Sequence, residues 1–295
     1  MAIGKVNTPQ VARPTQKPAA APAKQKVAAE ASKTAAAGWA NGAGKPTALK
    51  ITGAKISEGP KTTATIALPK GFKAELKTLT QKDTDKVYDK PASMDQSIAT
   101  LNITGPGGKK FNIGGGEAAL KEGAADWRAT VDDAKKSPKE EWGQYEWDNQ
   151  SSIQGAGTAG KLFSIEQGGS SFTGGAHPNN GTGISTFDAR TGQQVKLDSL
   201  ISPKQMNDLV NDIAARLPKL KLDQDITGDS FNMGGDKASL RDSINNNFAL
   251  STDKNGKVSI DIAWESGIHA LGGKMAHFTL AAPTDQAFKT AVGIE

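Results

Sequence analysis

The sequence predicts an α+β fold, with a mainly antiparallel sheet, two or three packed helices and a disordered N-terminal tail. Hydrophobic residues make up only 36% of the 295 residues and glycine occurs 33 times, which favours many turns and short strands over long helices. Residues 253–256 (DKNG) separate two apolar segments and predict a β-hairpin. The apolar stripe in residues 206–217 has helical spacing and predicts an amphipathic helix that packs on a sheet or on another helix.

Residues 1–50 form the predicted tail, because they are rich in Ala, Pro, Lys, Gln and Thr and contain almost no large apolar side chains. Such a segment buries too little apolar surface to offset the entropy of ordering, so we expect a disordered linker, or a secretion or targeting segment. It contains eight Lys or Arg and one Glu, a balance of +7, which leaves 28 basic and 30 acidic residues in the rest of the chain, a balance of −2. A nucleic-acid site needs positive charge clustered on one folded face, so we expect no nucleic-acid partner.

The folded part is predicted to begin near residue 48 and to divide into an N-terminal α+β subdomain, residues 51–140, and a C-terminal domain, residues 141–295. In the first unit, β-branched and apolar runs predict strands at residues 61–68, 98–103 and 111–113. Residues 117–136 predict a helix. Its apolar face carries Leu120, Ala124, Trp127 and Val131.

An aromatic cluster follows this helix and contains Trp142, Tyr145 and Trp147. Packing of an incoming strand is the simpler interpretation of the cluster. A carbohydrate-stacking surface is the alternative, because aromatic faces are large and flat. Residues 161–165 (KLFSI) then predict the strand that leads into the densest motif of the chain.

This motif spans residues 171–202 and predicts a strand, a glycine loop, a strand, a turn, a further strand and a helix. The glycine loop combines two glycines with the turn formers His-Pro-Asn-Asn-Gly. A β-prone strand at residues 184–187 follows, and Gly192 occupies a turn position that needs positive φ. Val195 and Leu197 alternate with polar neighbours and predict the returning strand.

The C-terminal part begins with the clearest helix signal in the chain. Ser202 as N-cap, Pro203 at the first helical position and Gln205 as capping-box partner predict where the helix starts. Alternating apolar residues predict that Val258, Ile260, Ile262 and Trp264 share the buried face of one strand. The remaining predicted elements are strands at residues 248–250 and 276–281 and a short helix or tail at residues 282–294.

Two short segments are similar to each other. Residues 111–123 (FNIGGGEAALKEG) and 231–243 (FNMGGDKASLRDS) are identical at six positions. Each predicts a short strand, a Gly-Gly break and the start of a helix. Independent use of the same turn chemistry and an internal duplication of one α/β unit both account for this similarity.

The motif resembles a bacterial family of envelope domains. These domains form the outer part of RsiV-type anti-sigma factors and precede the catalytic domain of PdaC-type peptidoglycan deacetylases. The residues that carry the resemblance are Phe172, Thr173, Gly174, Gly175, Ala176, His177, Phe187, Asp188, Thr191, Gly192, Leu197 and Leu200. The resemblance extends over residues 141–283, and Phe172 departs from it because Tyr is usual there.

The resemblance implies a non-enzymatic binding module that is extracytoplasmic or secreted, with a lysozyme-like protein or peptidoglycan as its partner. In the deacetylases the metal ligands belong to a separate catalytic domain that has no match in this chain, so the resemblance implies neither a cofactor nor a metal. The candidate binding residues in the motif are Phe172, Thr173, Gly174, Gly175, His177, Asn179 and Asp188.

Catalysis is the alternative function. In this hypothesis a wall-polysaccharide-active enzyme uses His177 as a base, with Asp188 or another nearby carboxylate orienting it. The chain contains three histidines and neither an HExxH nor a GxSxG motif, so we expect a protein that is not an enzyme. For Asp188, capping of its own turn is the favoured role, because Asp accepts backbone N–H bonds two residues further on.

The first residues of the chain bear on how the protein is localised. The first residues lack the apolar core of a secretory signal, so we expect either an internal protein or export by another route, as for an effector or surface protein whose tail directs secretion. No segment approaches the run of about 18 apolar residues that spans a membrane. Cysteine is absent, which excludes disulfides and cysteine-based metal sites.

Overall fold

A computed structural model of the chain describes residues 49–58, 66–136, 145–173, 178–217, 221–223, 226–227, 237–265 and 274–294. The predicted α+β class with a mainly antiparallel sheet is confirmed. Almost all of the predicted tail at residues 1–50 lies outside the described residues, and so does the proposed repeat segment at residues 231–236. No helix in the described ranges is long and apolar enough to cross a membrane.

Thirteen strands and four α-helices occur within the described residues. The strands are β1 (Ile51–Glu58), β2 (Lys73–Val87), β3 (Lys90–Thr104), β4 (Lys110–Ile113), β5 (Tyr145–Ala159), β6 (Leu162–Thr173), β7 (Asn179–Asp188), β8 (Gln193–Gln194), β9 (Lys221–Asp223), β10 (Ile226–Thr227), β11 (Phe248–Thr252), β12 (Val258–Glu265) and β13 (Lys274–Ala281). The helices are α1 (Gly116–Lys136), α2 (Pro203–Arg216), α3 (Lys237–Asn246) and α4 (Gln286–Val292).

The larger sheet has seven strands in the order β2-β3-β5-β6-β7-β8, with β4 also paired to β3. Its neighbouring strands are antiparallel except for β3 and β5, which run parallel. A parallel pair needs a crossover connection, and α1 lies within that connection. Ala124, Trp127 and Val131 of α1 pack against Met94 of β3, so the helix covers one face of the sheet at this end.

The smaller sheet has the order β1-β13-β12-β11 and is antiparallel throughout. One of its faces forms the largest core cluster, in which Val258, Ile260 and Ile262 are buried as predicted. Helices α2, α3 and α4 cover this face. They contribute Met206, Leu209, Val210, Ile213, Leu240, Ile244, Phe288 and Val292.

The second face of the smaller sheet packs against the larger sheet. Ile184 of β7 forms a small buried cluster there with Ala249, Ala263 and Met275. The short side chains of the two alanines let the sheets approach closely. The smaller sheet therefore covers one end of the β5–β6–β7 surface and leaves the other end open.

Both sheets contain strands from either side of the predicted boundary between residues 140 and 141. In the smaller sheet β1 pairs with β13, and in the larger sheet β3 pairs with β5. The division into units at residues 51–140 and 141–295 stays a prediction.

Two predicted strands are wrong in detail. Of the predicted strand at residues 61–68, the first five residues lie outside the described ranges, and Ile66 and Leu68 are half-buried beside the core without forming a strand. The predicted returning strand through Val195 and Leu197 ends at Gln194, although the Val195 N–H still donates to the Thr186 carbonyl at 2.8 Å. Leu197 instead begins a 3₁₀ turn, because this places its side chain in the core at full burial.

The local signals for helices and turns are confirmed. Helix α1 covers the predicted residues 117–136. At the start of α2, the Gln205 N–H donates to Ser202 Oγ at 3.2 Å and the Ser202 N–H donates to Gln205 Oε1 at 2.7 Å, which is the predicted capping box. The hairpin of β11 and β12 turns at the predicted residues 253–256.

Candidate functional site

The predicted motif begins in the last residues of β6 and includes all of β7, and these two strands pair as an antiparallel hairpin. Phe172 and Thr173 are the last residues of β6, and Asn179 is the first residue of β7. Phe172 is half-buried and Asn179 is exposed. Gly174, Gly175 and His177 lie outside the described residues, so their predicted roles stay predictions.

Asp188 lies at the opposite end of β7 from Asn179. Nine residue steps of extended strand separate the two, a distance of about 30 Å at about 3.3 Å per step. Asp188 Oδ1 accepts a hydrogen bond from the Arg190 backbone N–H at 2.8 Å, and Asp188 Oδ2 forms an ion pair with the Arg190 guanidinium at 2.8 Å. The turn-capping role is confirmed.

The electrostatics of Asp188 agree with a structural role. Its burial acts to raise the pKa, but the hydrogen bonds from the Arg190 side chain and backbone outweigh burial and lower the pKa of the carboxyl. The Asp188 bond in turn raises the pKa of Arg190. The pair is thus held charged, and the carboxylate is engaged by its own turn.

An open polar surface lies between the hairpin tip and the smaller sheet. We call it the polar face. Strand register places one row of directly paired residues across five strands: Thr80, Ser97, Gln150, Ser170 and Asn180. Direct partners in neighbouring strands project their side chains to the same side of a sheet, so this row forms one line of hydroxyl and amide groups. Its members are exposed or half-buried.

The second row of the polar face contains Lys82, Asp95, Asp148 and Phe172, again as direct partners in register. Lys82 Nζ lies 2.5 Å from Asp95 Oδ2, and this hydrogen bond, followed by the charge of Asp95, raises the pKa of Lys82. Gln150 Nε2 donates to Asp148 Oδ2 at 3.1 Å. The ring of Phe172 therefore lies directly beside the carboxylate of Asp148, and the hydrogen bond from Gln150 holds that carboxylate in position.

The inner boundary of the polar face is the point where the smaller sheet begins to cover β5, β6 and β7. Gln154 Nε2 donates to Glu166 Oε2 at 2.6 Å, and the paired residue Ile184 joins the cluster between the sheets. The second carboxylate oxygen of Glu166, Oε1, is buried without a hydrogen-bond partner among the described residues. A buried polar oxygen of this kind is rare in native structures.

The opposite face of the same strands is covered by α1. Gln96 Nε2 donates to the Leu120 carbonyl at 3.2 Å, and Trp147 packs half-buried beside the α1 cluster. The packing interpretation is confirmed for Trp147. Trp142 lies outside the described residues, and Tyr145 begins β5. The aromatic ring that faces the open side is Phe172, in the neighbouring strand.

His277 is part of a buried polar cluster on the smaller sheet. Its Nδ1 lies 2.6 Å from Asp261 Oδ2, and Thr279 Oγ1 donates to Asp261 Oδ1 at 3.2 Å. The His277 side chain is only 6% exposed, so the cluster serves the packing between elements. His269 lies outside the described residues. Within the described ranges, no group of three or more His, Cys, Asp or Glu could hold a metal ion.

The sequence indicated only one member of the polar face, Phe172. Asp148, Gln150 and Ser170 were not predicted, because they lie in polar stretches with nothing to mark them locally, and Asn180 belongs to the predicted glycine loop but was not singled out as a site residue. One sequence signal for this face does exist. It is the pattern at the even-numbered positions of β5 (148, 150 and 152) and of β6 (168, 170 and 172). These positions share one side of β5 and β6, and they contain small, amide, carboxylate or aromatic residues.

No family model matches the sequence, and no curated protein matches it. The solved structures that are similar to the chain include two DUF3298 proteins. The first is a DUF3298 family member from Bacteroides fragilis, with 14% identity, a TM-score of 0.43 and coverage of 72% of this chain and 91% of that one. The second is a DUF3298 family protein from Pseudomonas aeruginosa, with 17% identity, a TM-score of 0.36 and coverage of 72% and 91%.

These structural neighbours are DUF3298 proteins. That family has no known function. The resemblance of the motif to RsiV-type and PdaC-type domains is confirmed by none of the comparisons and stays a prediction.

Proposed function

We propose that this protein is a non-enzymatic binding module of the cell envelope that takes a lysozyme-like protein or peptidoglycan on its polar face. The observation that carries the proposal is the open row of Thr80, Ser97, Gln150, Ser170 and Asn180 across five hydrogen-bonded strands. A sheet fixes these groups in position without a ligand. Binding to such a preorganised surface loses less conformational entropy than binding to a flexible one.

The arrangement of the charged groups supports binding over catalysis. A general base needs a pKa suited to the reaction and a free approach to the proton it removes. On the polar face, Asp95 is paired with Lys82, and Asp148 accepts a hydrogen bond from Gln150. These contacts position the carboxylates as fixed acceptors for a bound partner.

The envelope assignment rests on the motif between residues 171 and 202. The hairpin of β6 and β7 carries this motif, and the polar face begins at its tip. The part of the chain that resembles envelope domains is therefore also the part next to the open surface. An extracytoplasmic or secreted location belongs to the same proposal.

The test is a capture experiment with the full chain against lysozyme and against purified peptidoglycan, with release of sugar, peptide and acetate measured on the same samples. We expect capture of at least one of them without any released product. The variant Gln150→Ala with Asn180→Ala removes both amides of the first row and is expected to weaken capture. Asp132→Ala, on the exposed side of α1, is the matched control and should bind as the parent does.

Two outcomes would contradict the proposal. Capture of neither lysozyme nor peptidoglycan would reject the binding function. Release of product by the parent, with loss of that release in His177→Ala, would establish the enzyme alternative.

A further inference from the structure

We propose that the polar face binds a strand of β-linked N-acetylhexosamine residues, with the Phe172 ring as a stacking platform and Asp148 as the acceptor for a sugar hydroxyl. The inference rests on the proposed binding function and narrows its ligand to one chemical class. It follows from the shape of the surface, from the kind of side chains it presents and from its charge.

The dimensions of the face suit an extended polymer. Neighbouring strands lie about 4.8 Å apart, so the first row, from Thr80 on β2 to Asn180 on β7, spans about 19 Å. Along β6, the face runs from the covered residue Glu166 to Phe172 at the open end, which is about 20 Å at about 3.3 Å per residue. A β-linked glycan is a flat ribbon, and a surface of this size accommodates several of its residues.

The side chains match a ligand that carries amides and hydroxyls. Gln150 and Asn180 each present an amide with N–H donors and a carbonyl acceptor, and one N–H of Gln150 already donates to Asp148. An N-acetyl group has the same combination of N–H and C=O, and it recurs along the polymer. Ser170 lies between the two amides and adds a hydroxyl that donates or accepts as the ligand requires.

The Asp148–Phe172 pair provides the contact with a sugar ring. The two residues are direct partners in the register of β5 and β6, so their Cβ atoms lie about 4.5–5.5 Å apart. The flat ring of Phe172 offers an apolar surface for the C–H face of a pyranose. The carboxylate next to it accepts hydroxyl hydrogen bonds, which are stronger when one partner is charged.

The charge of the polar face favours a glycan over a polyanionic ligand. Lys82 forms an ion pair with Asp95 and also interacts with the charge of Asp148, so the two rows carry two carboxylates and one cation, a net negative charge. A nucleic acid or another polyanion would be repelled. A protein partner is disfavoured as well, because protein interfaces centre on several buried aromatic or Arg anchors, whereas the described residues of the two rows include one aromatic ring.

The experiment measures binding of the full chain to pentamers of N-acetylglucosamine, of glucosamine and of glucose by titration calorimetry. We expect the N-acetylated pentamer to bind most tightly. Phe172→Leu keeps the apolar bulk and removes the flat ring, and it should weaken binding by about tenfold, as expected for a central aromatic contact. Asp148→Asn should weaken it severalfold, and Asp132→Asn on α1 serves as the control.

The results of this experiment distinguish failure of the glycan inference from failure of the proposed binding function. Equal binding of the glucose and N-acetylglucosamine pentamers would overturn the assignment of an N-acetylated ligand, and parental affinity in Phe172→Leu would overturn the stacking role. Capture of lysozyme without binding of any pentamer would overturn this inference and leave the proposed function standing. Urea unfolding of each variant verifies that a loss of binding is not a loss of the fold.

Discussion

At the scale of single residues, the turn after β7 depends on a backbone conformation that favours glycine. Gly192 has φ of 73°, and a Cβ at this position would lie 2.6 Å from the ring of Phe111. We expect Gly192→Ala to lower the free energy of unfolding by about 2–4 kcal/mol, because a left-handed backbone costs a side chain about 1–2 kcal/mol and the overlap adds a similar amount. Urea unfolding followed by circular dichroism measures the change.

Gly256 provides the control for this prediction. Its φ of 78° is nearly the same, but nothing lies within 4 Å of the position that a Cβ would occupy. Gly256→Ala should therefore cost only the backbone part, about 1–2 kcal/mol. Equal losses in the two variants would show that the contact with Phe111 adjusts without cost.

The lowered pKa of Asp188 predicts how the free energy of unfolding depends on pH. Burial acts to raise its pKa, yet the bonds from Arg190 lower it below the value of about 3.9 expected in the unfolded chain. A group whose pKa is lower in the folded state stabilises the fold above the unfolded pKa, and this contribution disappears as the pH falls through the folded pKa. Asp188→Asn should be less stable than the parent at neutral pH, and it should lose less of its remaining stability on acidification.

The measurement for Asp188 is the urea midpoint at several values from about pH 7 to about pH 2, the range in which carboxylates titrate. Asp132→Asn, which changes an exposed carboxyl of α1, is expected to retain the parental profile. A parental acid slope in Asp188→Asn would contradict the assigned role of the Asp188–Arg190 pair.

At the scale of elements, two side chains of the larger sheet form hydrogen bonds with the backbone at the free edge of β11. The Leu250 N–H donates to Ser164 Oγ at 2.9 Å, and Thr186 Oγ1 donates to the Phe248 carbonyl at 2.7 Å. The two hydroxyls are themselves 2.8 Å apart. Since Thr186 donates to the Phe248 carbonyl, Ser164 donates to Thr186, and the series satisfies the Leu250 N–H and the Phe248 carbonyl at this edge. An unpaired strand edge would otherwise leave these backbone groups buried without partners.

This series of hydrogen bonds predicts a large effect for a substitution that preserves shape. Thr186→Val removes the hydroxyl and leaves the Phe248 carbonyl and the Ser164 hydroxyl without their partner, so we expect a loss of about 1–3 kcal/mol in unfolding free energy. Thr80→Val makes the same change at an exposed position of β2 and should have little effect. Similar stability of the two variants would rule out an energetic role for the series.

At the scale of the whole molecule, the strand β1 joins the start of the described chain to its end. It pairs with β13, and Ile51 is buried in the core beneath the helices. A chain that begins at residue 59 loses this strand and exposes the edge of β13, so its melting temperature should fall by more than about 5 °C, the effect of 1–2 kcal/mol in a domain of this size.

The matched control for this prediction is a chain that begins at residue 49 and keeps β1. The sequence predicts that residues 1–48 contribute little to the core, because they lack large apolar side chains. The melting temperature of this control, measured by calorimetry, should equal that of the full chain. A fall of several degrees in the control would show that the predicted tail packs on the fold.

The sequence alone determined the elements whose signals are local. The capping box at Ser202 and Gln205 and the apolar stripe of α2 are contained within a few turns of helix, and both are confirmed. The same holds for the turn between β11 and β12 and for the positive φ of Gly192. In these cases the covalent neighbours of a residue supply the interactions that decide its conformation.

Tertiary structure decided the elements that depend on distant partners. Strand β2 was not predicted, because it is an edge strand with most side chains exposed and shows little of the alternation that burial imposes. The polar face was not predicted either, since Thr80, Gln150 and Asn180 become neighbours only through the register of β2, β3, β5, β6 and β7. Periodicity in a sequence reports which side of an element is buried, whereas register between strands is set by pairing energies that no single segment contains.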